Sequence, residues 1–383
     1  MVTTEPGQQK PPDAAPTASL RWRPFRLPLR APIVAASSTI EEREGVLLEL
    51  RDEEGRSGFG EASPFPEDGD GGAPEVLRLL DEWAPRLLAG EGLPSDQHSA
   101  VAAALRCALD CARLDLAGRR RGLRIAAISG GGAVREVQVN AVIGDGPPEW
   151  VRERAAAAVA AGYGTIKLKV AVGTLEEDRR RVQALREVAP DATLRLDANG
   201  GWDASVAAKA IESLAHYDLE YVEQPLPAGD LAGLAALRQE GVCRIAADET
   251  VADREAGERI LDTGAADILV LKPMRLGGIR PALSLAHDAS WDGVSCVVTT
   301  MFDSSFGVAA ALHLAAAVDT LNAWGRLAHG LGTAEHLAAD LVARPLIPVR
   351  GALHIPSPIG LGIEPDEAAV EAVATGDWVE LSR

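Results

Sequence analysis

The sequence predicts an α/β chain, a (β/α) barrel behind a smaller α+β domain. Three observations carry that prediction. Strand-like runs recur at a near-constant pitch after residue 133, a block of strands and then helices precedes them, and charged residues end otherwise apolar runs. At 383 residues the chain has length for two domains. With 47 % hydrophobic and 25 % charged residues, its composition is that of a globular protein.

Residues 1–18, rich in Pro, Thr and Gln and without an apolar stretch, are expected to be a disordered tail and not a signal peptide. From 21 to 61 the pattern is strand-like. Residues 21–29 alternate, 44–50 (EGVLLEL) are apolar, 52–55 read as a turn and 59–65 (FGEASPF) follow, which suggests an antiparallel hairpin. From Pro74 to about Ala127 the periodicity is helical. Strands followed by helices read as an α+β domain. Small and Pro/Gly residues at 32–39 and 64–72 suggest loops that close over a barrel mouth.

Past the glycines 130–132, short β-rich runs alternate with Ala-rich helical stretches. Candidate strands are 137–143, 165–170, 193–197, 219–223, 244–248, 267–272, 294–299 and a weak one near 321–324, with starts 28, 28, 26, 25, 23, 27 and 27 residues apart. Each gap has room for one helix; residues 174–188 open with Thr174 and Glu177 in capping-box spacing. Eight such units indicate a (β/α) barrel. A doubly wound sheet is disfavoured because no GxGxxG follows the first strand. Residues beyond 345 lie past the eighth unit and are expected to return to the N-terminal domain.

The net charge of −18 disfavours nucleic-acid and anionic-membrane partners, and no run of 18 apolar residues suits a membrane span. Four cysteines (Cys107, Cys111, Cys243, Cys296) form no CxxC, and the pair four apart on a helix reads as core packing. A cytoplasmic protein is expected.

Chemistry is concentrated at the strand ends. The second strand carries Lys167 and Lys169, the third ends in Asp197 with Asn199 just beyond, the fourth in Glu223, the fifth in Asp248 and Glu249, and the sixth in Lys272. A period of two places Lys167 and Lys169 on one face, and barrel active sites lie at C-terminal strand ends. Three acids from consecutive strands can converge, and buried together they require a cation; an oxygen-only set suits Mg²⁺. Lysines on both sides of a carboxylate held by that metal point to metal-assisted removal of a proton next to the carboxylate. A small-molecule carboxylate is thus the expected substrate. A Schiff-base aldolase also uses lysine, but has no need of three clustered acids.

KLK, LDANGGW, VEQPL, ADET and LKP, in this order, resemble the enolase superfamily, and within it the muconate-lactonising-enzyme subgroup. The resemblance spans nearly the whole chain. It implies a (β/α)7β modified TIM barrel (133–345) with an α+β N-terminal capping domain (19–132, completed by 346–383). It implies Asp197, Glu223 and Asp248 as Mg²⁺ ligands, Lys169 and Lys272 as the lysines on the two substrate faces, and Lys167 as a carboxylate-polarising partner. Asn199 and Glu249 stand where the subgroup has residues supporting the ligands. It also implies a homo-oligomer. The seventh-strand region, VVTTMFDSS, lacks the His of the mandelate-racemase subgroup, and the seven histidines read as structural or surface residues, His329 being the possible exception. FRLPLR, GFGEASPFP, VNAVIG, LKPMRLGGIR and HGLGT are most similar to the o-succinylbenzoate synthases of menaquinone biosynthesis. Dipeptide epimerases of the subgroup carry a DxD at the eighth strand's end, and AWGRLAHGLGT has none. The implied activity is dehydration, with N-acylamino-acid racemisation or muconate-type cycloisomerisation as alternatives that use the same residues.

Overall fold

The computed structural model describes residues 17–34, 39–66, 71–94 and 99–383. The expected tail therefore lies outside the described residues up to 16, and so do the centres of both expected loops, 35–38 and 67–70. Thr17 and Ala18 are a correction: they open a strand, because Ala18 C=O accepts the Arg383 N–H.

Strands β1 (Thr17–Val34), β2 (Thr39–Asp52) and β3 (Ser57–Ala62) form an antiparallel meander. The β2–β3 turn is set by Asp52, whose side chain accepts the backbone N–H groups of Glu54 and Arg56. Burial pushes the Asp52 carboxyl up, but bonds from Arg56 and Arg120 outweigh it and hold the pKa at about 2. Helices α1 (Gly72–Leu88), α2 (Ala100–Arg121) and α3 (Ile125–Ile128) follow. Helix α2 lies directly on β3: a Cβ at Gly58 or Gly60 would come within 2.2 Å of Ala112 O or 2.0 Å of Ala108 O. Cys107 and Cys111 are buried on α2 as free thiols.

The expected first barrel strand divides. Its start, β4 (Glu136–Gln138), pairs with the late strand β12 (Ala352–His354), and only β5 (Ala141–Ile143) joins the parallel sheet. Six more units continue it: α4 (Pro148–Ala160), β6 (Thr165–Lys169), α5 (Leu175–Val188), β7 (Thr193–Asp197), α6 (Ala204–Leu214), β8 (Leu219–Glu223), α7 (Leu231–Glu240), β9 (Ile245–Ala247), α8 (Arg254–Thr263), β10 (Ile268–Leu271), a short α9 (Pro273–Leu276), α10 (Ile279–Trp291) and β11 (Ser295–Val298). The capping box expected at Thr174 and Glu177 forms.

The result is a curled parallel sheet ordered β11-β10-β9-β8-β7-β6-β5, beside a separate sheet ordered β13-β1-β2-β3, where β13 is Val379–Ser382. The weak strand expected near 321–324 does not form. Asn322 there bonds both backbone groups of Cys296, holding the chain in a turn after α11 (Ser305–Val318). His329 and Gly330 instead bridge the sheet's two edges, pairing with Val139 and Thr299. Inside the curl, Tyr221, Ala246, Ile268, Val270, Val297 and Leu327 form an apolar floor. A last helix, α12 (Glu367–Val373), packs near β1.

Candidate active site

Register builds the site. Lys169, Asp197 and Glu223 are paired neighbours on β6, β7 and β8, and Glu223 pairs with Ala246, two residues before Asp248. Side chains at these levels therefore face one side, above the apolar floor. One layer lower, Arg195 is fully buried, bonded to Glu220, Asn140 and Ala328 O, with its guanidinium over the Tyr221 ring.

The acids are buried and the lysines reach into them. Lys167 Nζ lies 2.6 Å from Glu223 and 3.1 Å from Asp197, and Lys169 Nζ lies 2.8 Å from Asp197. Lys169 also donates to Asn199 Oδ1, whose amide donates to Glu249 Oε1 at 2.8 Å. Lys272 Nζ contacts Asp248 Oδ1 at 2.6 Å. The eight anticipated residues thus fall into two groups, Lys272–Asp248 and the rest. Among the described residues no side-chain hydrogen bond or ion pair links the two, and Asp248 and Glu249 are joined only as chain neighbours. His329 is outside both; its ring accepts from Val298 N and meets Asp319, a structural role.

Too few cations serve too many buried charges here. Burial and then the neighbouring Asp197 charge push the Glu223 carboxyl up to about 8, against the pull of Lys167. Burial also raises Asp197, but Lys167 and Lys169 outweigh it and hold that carboxyl far below the usual range. Burial acts to lower Lys167, and Asp197 and Glu223 reverse it, so its ammonium form is strongly favoured. Burial, then Asp248, raises Glu249. Among the described residues no three such side chains are already drawn into a ligand set; the Lys167 ammonium sits between Asp197 and Glu223. The donors are all carboxylate oxygens, and with Glu249 four carboxylates (Asp197, Glu223, Asp248, Glu249) face three lysines (Lys167, Lys169, Lys272), which fits a hard divalent cation.

Backbone strain marks the same rim. Ala171, Asn199, Gln224 and Phe302, each just past a strand end, have φ of 67°, 43°, 40° and 61°, and non-glycine residues in that region cluster at functional sites. Gln224, not anticipated from sequence, is fully buried; its Oε1 accepts from Asp248 N and Thr250 N, tying the ends of β8 and β9 together. Its signal was a polar residue between Glu223 and Pro225. Arg195 carries a similar signal, a charge in the middle of the otherwise apolar β7, whereas Glu61 stands near the end of β3.

Residues 150–369 match the family model described as enolase C-terminal domain-like. A hydrophobic dipeptide epimerase of Enterococcus faecalis is 33 % identical over 304 residues, 77 % of this chain and 85 % of that protein. An o-succinylbenzoate synthase of Thermobifida fusca is 40 % identical over 222 residues, 57 % of this chain and 66 % of that one. A crystal structure of an Enterococcus faecalis dipeptide epimerase with Mg and the dipeptide L-Leu-L-Tyr aligns with a TM-score of 0.80 at 29 % identity, over 91 % of this chain and all of that one. Buried acids and lysines at successive strand ends, the matching family model and relatives aligned over most of the chain lead to one conclusion: this protein is an enzyme belonging to the enolase superfamily.

Proposed function

We propose that this enzyme is a Mg²⁺-dependent carbon–oxygen lyase, an o-succinylbenzoate synthase that dehydrates 2-succinyl-6-hydroxy-2,4-cyclohexadiene-1-carboxylate. In this reading the curled sheet is a (β/α)7β barrel (133–345), capped by residues 19–132 with 346–383. Asp197, Glu223 and Asp248 hold the metal, which when bound supplies the positive charge that lets a substrate carboxylate accept further negative charge. Lys169 Nζ takes the proton from the carbon beside that carboxylate. The electron pair delocalises into the carboxylate and then expels the neighbouring hydroxyl, to which Lys169 returns the proton, so that water leaves. Lys272 stays protonated on the other face, and Lys167 orients the carboxylate. Asn199 and Glu249 restrain Lys169 and the acids.

The observation that carries the choice of substrate is the rim beside the sheet-closing residues. Gly330 and Gly332 leave it without side chains, His329 is committed to Val298 and Asp319, and Thr300 and Thr333 hydroxyls pair at 2.6 Å. Among the described residues, 330–333 of that rim carry no carboxylate for an α-ammonium, which suits a substrate without one. A second reading, 1,1-proton transfer on an N-acylamino acid, is favoured by lysines contacting the acids from two sides.

The test is α-proton exchange of a non-eliminating analogue in D₂O, with dehydration followed by the aromatic absorbance of the product. A dehydratase converts the cyclohexadiene carboxylate, keeps exchange in Lys272→Arg and loses it in Lys169→Arg. If each variant instead loses exchange with one enantiomer of an N-acylamino acid, both lysines are acid/base catalysts and the second reading replaces the first.

A further inference from the structure

One buried carboxylate beside the site has no evident task. Asp303 is 4 % exposed, and its Oδ1 has no hydrogen-bond partner among the described residues. Its Oδ2 receives only a long bond, 3.4 Å from Met301 N. An unpaired ionisable oxygen in the interior is costly and calls for an occupant. Leu271 pairs with Val298 on the neighbouring strand, so Lys272 and the segment that runs from β11 to Asp303 leave the sheet side by side. Burial first, and then Glu61, raise the Asp303 pKa to about 7, and Arg43 and Lys272 act against that rise.

Asp303 is held there by the N-terminal domain. It precedes Ser304, the N-cap of α11. Glu61, at the end of β3, accepts from Ser304 N at 3.1 Å, Ser304 Oγ at 2.6 Å and Gly307 N at 2.9 Å. In a capping box the acid at N3 of the same helix bonds back to the N-cap N–H. Here N3 is Gly307, and a Cβ on it would lie 2.4 Å from the Asp303 Cβ. The helix cannot carry its own acid there without displacing Asp303, and a distant strand supplies one.

Lys272 has the complementary problem. Its ammonium pairs with Asp248, which the proposed function assigns to a divalent cation. An ammonium at contact distance from a metal-ligating carboxylate is repelled by the metal's double charge, and a half-buried ammonium that leaves one anion needs another.

We infer that Asp303 is that anion: as a divalent cation takes Asp248, the Lys272 ammonium moves to Asp303 Oδ1, and Glu61 holds Asp303 in place to receive it. Asp303 is then a positioning residue for Lys272 and raises metal affinity by giving the displaced lysine a partner. The inference rests on the metal reading of Asp197, Glu223 and Asp248, and not on which substrate is turned over.

The experiment is a titration of the full-length protein with Mn²⁺, free metal being followed by electron paramagnetic resonance. Asp303→Asn should weaken Mn²⁺ binding by about fivefold or more, the lower range of coupling between linked sites. In a Lys272→Met background, where no ammonium needs a new partner, the same substitution should change affinity by less than about twofold. If Asp303→Asn does not fold, Asp303→Ser takes its place in both backgrounds. Two results overturn the inference alone: unchanged affinity in the wild-type background, which leaves Oδ1 to a water, or equal weakening in both backgrounds, which marks general damage. A wild-type protein that binds no Mn²⁺ overturns the metal reading itself, and the inference with it.

Discussion

Asp115 in the N-terminal domain and Glu223 in the curled parallel sheet are both almost fully buried carboxylates, and they are served very differently. Asp115 accepts from Phe59 N, Leu361 N and two nitrogens of Arg119, so β3, α2 and the C-terminal segment meet on one satisfied anion. Glu223 receives one direct bond, from Lys167, and faces Asp197 and Asp248. A buried charge surrounded by donors holds structure together. One left short of them, among like charges, stores unfavourable electrostatics that a bound cation relieves.

The most severe way to break this comparison is to remove the underserved charge. Glu223→Gln should reduce turnover by at least about 10³-fold, because the proposed metal loses a ligand. In excess chelator, however, the variant should melt no lower than the wild type. The sign follows from the direction of the shift: a carboxyl raised to about 8 destabilises the metal-free fold once pH rises past its unfolded value, and the amide removes that penalty. Turnover within tenfold of wild type, or a chelated variant that melts several degrees lower, would place Glu223 with Asp115 as a structural anion.

The reciprocal substitution, Asp115→Asn, should do the opposite. Burial raises Asp115 as well, but here four donor groups are aimed at the carboxylate. An amide presents an NH2 to part of them while Arg119 loses its buried partner, so stability should fall by about 3 kcal/mol in denaturant unfolding. Turnover of the folded fraction should stay within about twofold. A selective loss of turnover at full stability would show that the satisfied cluster reaches the active site.

The two regions also differ in how far the sequence disclosed them. At the C-terminal ends of the parallel strands, type and position were legible together: Lys167 and Lys169 alternate, and Asp197 and Glu223 end runs that became β7 and β8 with the expected bounds. A charge that ends an apolar run is conspicuous because local hydrophobicity alone disfavours it. The N-terminal domain and the closing segment depend on contacts far apart in the chain. Nothing near Glu61 says that it caps a helix beginning at Ser305, and nothing near residue 137 says that β4 will pair with β12. The expected strand near 321–324 failed for a related reason: its apolar residues looked sufficient, but Asn322 folds back on Cys296, while Gly330, with no β propensity, bridges to Thr299.

The smallest effect tests whether the satisfied region is as local as Asp115 suggests. Two N-terminal deletions, ending at residues 16 and 18, differ only in Thr17 and Ala18. Those residues supply the Thr17–Asp52 pairing and the 3.0 Å bond from Arg383 N to Ala18 O, the last rung tying the C-terminal strand to β1. Intramolecular hydrogen bonds at a half-exposed sheet end contribute about 1 kcal/mol each at most. The longer deletion should therefore be less stable than the shorter by about 1 kcal/mol in urea, with identical turnover at low denaturant. Asp52 is independently fixed by Arg56, Arg120 and its own turn, so it does not need Thr17 to stay buried. A difference several times larger would mean that this rung holds more of the β13 edge than its own two pairs. A difference in turnover would carry that edge, through β1 and the segment it touches at Leu337, into the candidate active site.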